Sequence, residues 1–276
     1  MKKLIPVLLA VVMIVSLAAC GQKATTEQKV LKVAMEAAYA PYNWTQSDDS
    51  NGAVPIFDSK DYAYGYDVMM AKLICEKLGW KLEVHKMDWD SIPVAVQSGT
   101  VDAGICGQSI TAKRLQTMDF SEPYYYASIV SLTRTDSPLA SATGLSGLAG
   151  ATTTSQINTV WYDTCLPQIK DANILPAMDT TSAMLIALES KKVDLIVTDE
   201  PTAMAAASVY PDMKVLDFTG KDDNFKVSDE EINIGISVKK GNKDLADQLN
   251  SVLSTLTADD YKQMMADAIK VQPLSK

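Results

Sequence analysis

Histidine is almost missing from this chain: His85 is the only one in 276 residues, and the four cysteines, at 20, 75, 106 and 165, stand far apart. Zinc-type metal sites draw on Cys and His clustered at short spacings, so no such metal site is expected, and no cofactor is expected either. A Cys–His dyad would need His85 to meet a thiol distant in sequence. Positive charge is also in short supply, with 25 Lys and Arg against 34 Asp and Glu and a formal net charge of −9. Nucleic-acid binding selects basic patches, so no nucleic-acid partner is expected. Internal repeats are absent, and after residue 19 no long apolar run remains that could cross a bilayer.

What is present begins at the N-terminus. Lys2 and Lys3 precede an apolar run from Leu4 to Val15, followed by Leu17-Ala18-Ala19-Cys20-Gly21. A basic start and an apolar stretch too short for a comfortable span read as a secretory leader. Leu-Ala-Ala-Cys resembles the bacterial lipobox, which implies a lipoprotein signal peptide over 1–19. Cys20 then carries the diacylglyceryl thioether, and acyl chains such as palmitate hold the protein at a membrane surface. Residues 20–29 are small and polar and fit a flexible tether. Loss of Lys2 and Lys3 takes the net charge to about −11, which bears on solubility more than on ligand. The remaining body of about 255 residues suits two lobes of ordinary size.

Along the body, strand and helix signals alternate. Val30–Met35 reads as a first strand and 46–63, rich in Asp, Ser and Gly, as a surface loop. Asp67–Leu78 carries Val68, Ala71, Ile74, Cys75 and Leu78 at helical spacing before Gly79. Lys81–Val84 is a strand, Ser91–Gln97 a short helix and Val101–Ile105 another strand. Tyr124–Thr133 is extended, and Ser137–Gly150 is a Ser/Gly-rich connection. Helices are expected over Thr154–Asp163 and Met178–Ser190, strands over Val193–Thr198 and Ile232–Val238. Amphipathic helices follow over Lys243–Leu256 and Thr257–Ile269, the latter with Asp259 and Asp260 in its first turn. Such alternation predicts α/β lobes with mostly parallel sheets.

The stretch Gln97–Tyr126 carries the strongest functional signal. An apolar run through Val101, Ala103 and Ile105 ends in Cys106 and Gly107, and Ser109, Thr111 and Arg114 follow closely. Small residues allow a ligand near the backbone, and a planar guanidinium suits a carboxylate, which points to a pocket for a small anion. Together with Tyr39-Ala40-Pro41-Tyr42, Gly65-Tyr66-Asp67-Val68, Asp88-Trp89-Asp90 and Val197-Thr198-Asp199-Glu200-Pro201, this stretch resembles the family 3 extracellular solute-binding proteins, the amino-acid receptors of ABC importers. The likeness runs over nearly the whole chain after the leader.

That resemblance implies a two-lobe periplasmic-binding-protein-like (type II) α/β fold with two hinge-crossing strands, near 126–129 and 231–234. Lobe 1 would comprise 30–127 and 234–276, and lobe 2 would comprise 128–233. It implies Arg114 for the ligand carboxylate, in the motif Ser-Ile-Thr-Ala-Lys-Arg, with Gly107 and Ser109 as first-lobe contacts. Thr153, Thr154, Ser155 and Gln156 open the expected helix, and their hydroxyls and N–H groups suit either the carboxylate or a plain helix cap. Asp199 matches the family's amino-group acid and equally suits a cap before Pro201. Tyr39 and Trp89 occupy stacking positions. Glu36 falls where relatives carry a side-chain-reading acid, and with Gln108 adjacent to the pocket hints at a basic or amide ligand. Cys75 is expected unpaired, since Leu82 stands where some relatives have its disulfide partner, and Cys106 is expected to line or back the pocket.

The resulting expectation is a non-enzymatic, monomeric receptor that captures a free polar amino acid and delivers it to ABC permease subunits with their ATPase. It would be lipid-anchored outside the cytoplasmic membrane, or periplasmic in a Gram-negative cell. Alternatives are an enzyme on the same fold, of the cyclohexadienyl dehydratase kind with Glu36 as general acid, and a sensor without transport.

Overall fold

The computed structural model describes residues 28–273. The leader, Cys20 and most of the tether lie outside the described residues. Two five-stranded sheets organise the chain. In the first, the strand order is Lys81–Lys86, Val30–Met35, Ala103–Gly104, Ser237–Lys239, Met118–Phe120. The first three strands are parallel, and Ser237–Lys239 runs antiparallel to both its neighbours.

The second sheet repeats this plan with the order Asn173–Ile174, Thr152–Thr154, Leu195–Asp199, Ile129–Arg134, Met213–Leu216. Here Ile129–Arg134 is the antiparallel member. This is the two-lobe α/β arrangement implied by the sequence. Its second lobe has a core of its own, built from Val130, Leu132, Met184, Leu188 and Ile196.

Helix Tyr66–Leu78 buries Val68, Ala71, Ile74 and Cys75, as its spacing requires. It stops where Gly79 turns left-handed at φ 68° and Trp80 N–H donates to the Cys75 carbonyl. Helices Lys243–Leu253 and Ala258–Val271 pack against it, so the chain end returns to the first lobe. Thr257 and Asp260 cap the last helix reciprocally, which accounts for acids in its first turn. Among the described residues no helix is long and apolar enough to cross a membrane.

Two short strands join the lobes: Tyr125–Tyr126 pairs antiparallel with Asn233–Ile234. Ile232–Val238 is therefore not one strand. Its first part belongs to this hinge ladder, Ser237–Lys239 belongs to the first sheet, and Gly235 makes the crossing where an added Cβ would press on Ile110 at 2.7 Å. The expected loop over 46–63 also contains structure. Val54–Pro55 and Tyr62–Tyr64 pair with each other, and Tyr62–Tyr64 pairs with Asn43–Gln46 to build a small antiparallel sheet. Aromatic and branched residues at its ends overrode the polar middle. The helix expected over Thr154–Asp163 starts later: Thr152–Thr154 is a strand, and the helical turn is Trp161–Cys165. Likewise the helix expected over Met178–Ser190 begins at Thr181, capped by the Thr180 hydroxyl.

Beside Gly107, just past the strand Ala103–Gly104, lies a buried polar knot. Asp67 is fully buried and accepts hydrogen bonds from Asn43 Nδ2 at 2.7 Å and the Tyr124 hydroxyl at 2.6 Å. Tyr124 in turn accepts from Gly107 N–H at 3.1 Å. Burial pushes the Asp67 carboxyl up to about 6 even though these donors favour its charge. Its folded pKa lies above the unfolded value, so its protonation favours folding at low pH, and this contribution fades as pH rises through about 6. Tyr124→Phe removes the hydroxyl that bonds both Asp67 and the Gly107 N–H, and is expected to cost about 1–3 kcal/mol. Urea unfolding of the two proteins at pH 7 measures it, and a difference under about 0.5 kcal/mol would contradict this role for the knot.

Candidate functional site

The lobes face each other across a cleft bridged by side chains from both. From lobe 1, Arg114 sits on the turn after Thr111, whose hydroxyl caps that turn by accepting from Arg114 N–H at 3.2 Å. Its guanidinium lies 5.4 Å from the centre of the Trp89 ring. Nη1 donates to the Ser109 carbonyl at 2.9 Å, and Nη2 crosses to the Asn158 carbonyl of lobe 2 at 3.0 Å. Burial pushes this group down to about 10, which leaves it cationic at neutral pH.

Gly107 has φ +65°, and a Cβ there would stand 2.5 Å from Tyr39 Cε1. Only glycine brings the backbone this close to the ring. The Tyr39 hydroxyl donates to Asp199 Oδ2 at 2.5 Å, and its ring stacks on Tyr42 with centroids 4.6 Å apart. Asp199 caps the helix Glu200–Val209 by accepting from Thr202 N–H at 2.9 Å, and it also accepts from the Thr202 hydroxyl at 3.0 Å. The cap and the interlobe contact therefore coexist in one residue. Burial raises its pKa while Tyr39 and Thr202 hold it down.

Glu36 follows the first strand and is 5% exposed. Its Oε2 accepts from Gln156 Nε2 of lobe 2 at 3.2 Å, and its Oε1 has no partner. The Gln156 amide is oriented in turn, donating to the Asp179 carbonyl at 3.2 Å and accepting from the Thr181 hydroxyl at 3.1 Å. Burial pushes the Glu36 carboxyl up to about 7, with Asp88 and Asp90 adding to the shift and Lys86 opposing it.

Tyr39, Trp89, Gly107, Ser109, Arg114 and Gln156 converge on a gap of about 20 Å³, room for a single water molecule. Larger chambers open on either side of Trp89. One, of about 660 Å³, contains Glu36, and the other, of about 640 Å³, contains Gln108 and Arg114.

Three residues expected at the site face elsewhere. Thr153 and Thr154 lie inside a strand of the second sheet, and the Thr154 hydroxyl donates to the Pro176 carbonyl at 2.9 Å. Ser155 donates to the Val197 carbonyl at 2.7 Å. The turn that meets the cleft comes later, at Gln156, Asn158, Thr159 and Trp161. Thr159 accepts from Tyr162 N–H at 3.3 Å, and Asn158 holds φ 56°. An Asn–Thr pair is a turn-and-cap signal, hidden here because Ile157, Val160 and Trp161 continue the apolar spacing of a helix. Trp161 meets the Tyr39 ring edge-on at 6.1 Å and forms the aromatic wall that sequence reasoning missed.

Cys75, Cys106 and Cys165 are free and buried, and burial pushes Cys75 up to about 11 and Cys165 up to about 12, so both remain thiols. Among the described residues no cluster of His, Cys, Asp and Glu could hold a metal.

Known proteins are similar to this chain in sequence and in architecture. The arginine-binding periplasmic protein of Mannheimia haemolytica is 24% identical over 238 residues, covering 85% of this chain and 89% of its own. The arginine-binding extracellular protein ArtP of Bacillus subtilis is 30% identical over 150 residues, 53% of this chain and 54% of its own length. A crystal structure of an amino acid ABC transporter substrate-binding protein from Streptococcus pneumoniae, bound to L-arginine, superposes with a TM-score of 0.74 at 26% identity, covering 87% of this chain and 94% of that one. The sequence pattern of one family spans residues 31–269, from the first strand to the last helix, and the chain belongs to that family, the bacterial extracellular solute-binding proteins, family 3.

Proposed function

We propose that this chain is the receptor of an ABC importer and closes its two lobes on a polar amino acid with a basic or amide side chain. One observation carries the reading: a guanidinium from lobe 1 and an oriented amide from lobe 2 line one interlobe gap, and a buried carboxyl from each lobe stands one hydrogen bond behind it, Asp199 behind Tyr39 and Glu36 behind Gln156. An α-amino acid presents a carboxylate, an ammonium and a side chain that match them. The ligand carboxylate takes the place of the Asn158 carbonyl on Arg114, while Ser109 keeps the guanidinium aimed. The ammonium meets Asp199 as the Tyr39 hydroxyl yields, and Tyr39, Trp89 and Trp161 wall the aliphatic part. Glu36 and Gln156 read the far end. The arginine-bound pneumococcal structure supports this choice of ligand class.

Binding stabilises the closed form because the ligand touches both lobes there and one lobe when they part. On this reading the chain captures and delivers its ligand, and the permease with its ATPase is the partner the closed form would meet. Cys20, within the lipobox-like stretch, supplies the anchor that keeps the receptor at the outer face of the membrane.

Three outcomes are expected. Arg114→Ala weakens amino-acid binding by about 2–5 kcal/mol, because a buried carboxylate loses its charged partner. Titration calorimetry against arginine, glutamine and histidine measures this, and unchanged affinity for all three would remove Arg114 from the site. A cationic side chain needs ionised Glu36, so arginine affinity falls by about tenfold per pH unit below 7. Glu36→Gln flattens that dependence, and a flat profile in the unsubstituted protein would refute the role of Glu36. Cys20→Ser moves the exported protein from the membrane fraction to the soluble one, and continued membrane retention would argue against the thioether.

A further inference from the structure

The chamber beyond Arg114 and Trp89 is larger than the gap at the centre of the cleft and has a different lining. It measures about 640 Å³, within the range of small-ligand sites, and includes Arg114, Thr111, Thr159 and Gln108 but not Glu36, Tyr39 or Asp199. It therefore adjoins the carboxyl end of a ligand held as proposed above, on which this inference rests.

Gln108 is 1% exposed, and neither its Oε1 nor its Nε2 has a hydrogen-bond partner. A buried amide with both ends unpaired is costly, and an apolar side chain of the same length would avoid that cost. Its backbone is anchored, since the Gln108 carbonyl accepts from Gly235 N–H at 3.0 Å, which holds the loop that carries the amide in place. The carboxylate of a free amino acid can accept from Nε2 but offers nothing to Oε1. A peptide group offers both, a carbonyl for Nε2 and an N–H for Oε1.

Other groups on the wall suit the same ligand. Arg114 borders both the gap and the chamber, so its guanidinium reaches from a peptide carbonyl to a terminal carboxylate, and Lys113 stands beside it. Of the acids on the far wall, Glu231 is already engaged by Ser228 N–H at 2.9 Å and the Thr164 hydroxyl at 3.2 Å.

We propose that the cleft accepts amino acids extended at the carboxyl end, dipeptides above all, with the Gln108 amide pairing with the added peptide group in the chamber beyond Arg114.

The test is calorimetric titration of the full mature protein with arginine, glutamine and histidine, and with each carrying a C-terminal glycine. At least one dipeptide is expected to bind within tenfold of its parent amino acid. Gln108→Met, nearly equal in volume, is expected to lower the dipeptide-to-amino-acid affinity ratio at least tenfold. Binding of free amino acids with every dipeptide more than 100-fold weaker overturns the inference and leaves the receptor reading intact. An unchanged ratio in Gln108→Met overturns it too. Binding of neither class overturns both readings, and the comparison in the unsubstituted protein decides even if the variant fails to fold.

Discussion

A buried carboxylate that must find donors organises the first lobe. Asp67 is sequestered at the start of its helix, and its two oxygens draw in Asn43 from the small antiparallel sheet and Tyr124 from the approach to the hinge. Asn43 also accepts from Ala37 N–H at 2.7 Å, which shapes the turn between Glu36 and Tyr39. Tyr124 positions Gly107. One desolvated group thus determines where four segments lie, because leaving any of its bonds unmade costs more than the chain gains by moving. Gly65, at φ 125°, lets the helix begin against the Tyr42 carbonyl, where any side chain would collide.

That constraint extends to the hinge. The hinge strand Asn233–Ile234 is held on one side by Tyr125–Tyr126 and on the other by the loop Gly107–Ile110, since Ser109 bridges Ile234 and Ile110 N–H donates to the Asn233 carbonyl at 2.9 Å. The loop that carries Gly107, Gln108 and Ser109 is therefore part of the hinge ladder. On the proposed function, this loop would couple binding to the segment about which the lobes turn without a longer chain of contacts.

Local periodicity was enough for elements whose burial follows one face. The helix from Tyr66 and the two C-terminal helices show regular apolar spacing with recognisable starts and stops, so pattern and structure agree within a few residues. It failed where partners distant in sequence decide the state. Thr152–Thr154 has no strand-like alternation to separate it from the apolar positions that follow, and it is a strand because Leu195–Asp199 and Asn173–Ile174 flank it. Met213–Leu216, Met118–Phe120 and Asn173–Ile174 are short edge strands with the same dependence on neighbours.

Residue order alone determined the family, the lobes and the chemical types available: a guanidinium after a small-residue turn, an acid before Pro201, and acids and aromatics near the first strand. Which of these meet was decided only in three dimensions. Tyr39 bonds Asp199 across 160 positions, and Gln156 reaches Glu36 across 120. The threonines next to Gln156 turn instead into their own lobe. Side-chain direction depends on the sheet that recruits the strand, and the cleft exists only once two sheets, each completed by antiparallel return strands, face one another. A pairwise contact between lobes has no local signature, because the residues on either side are selected by packing within their own lobe until the lobes meet.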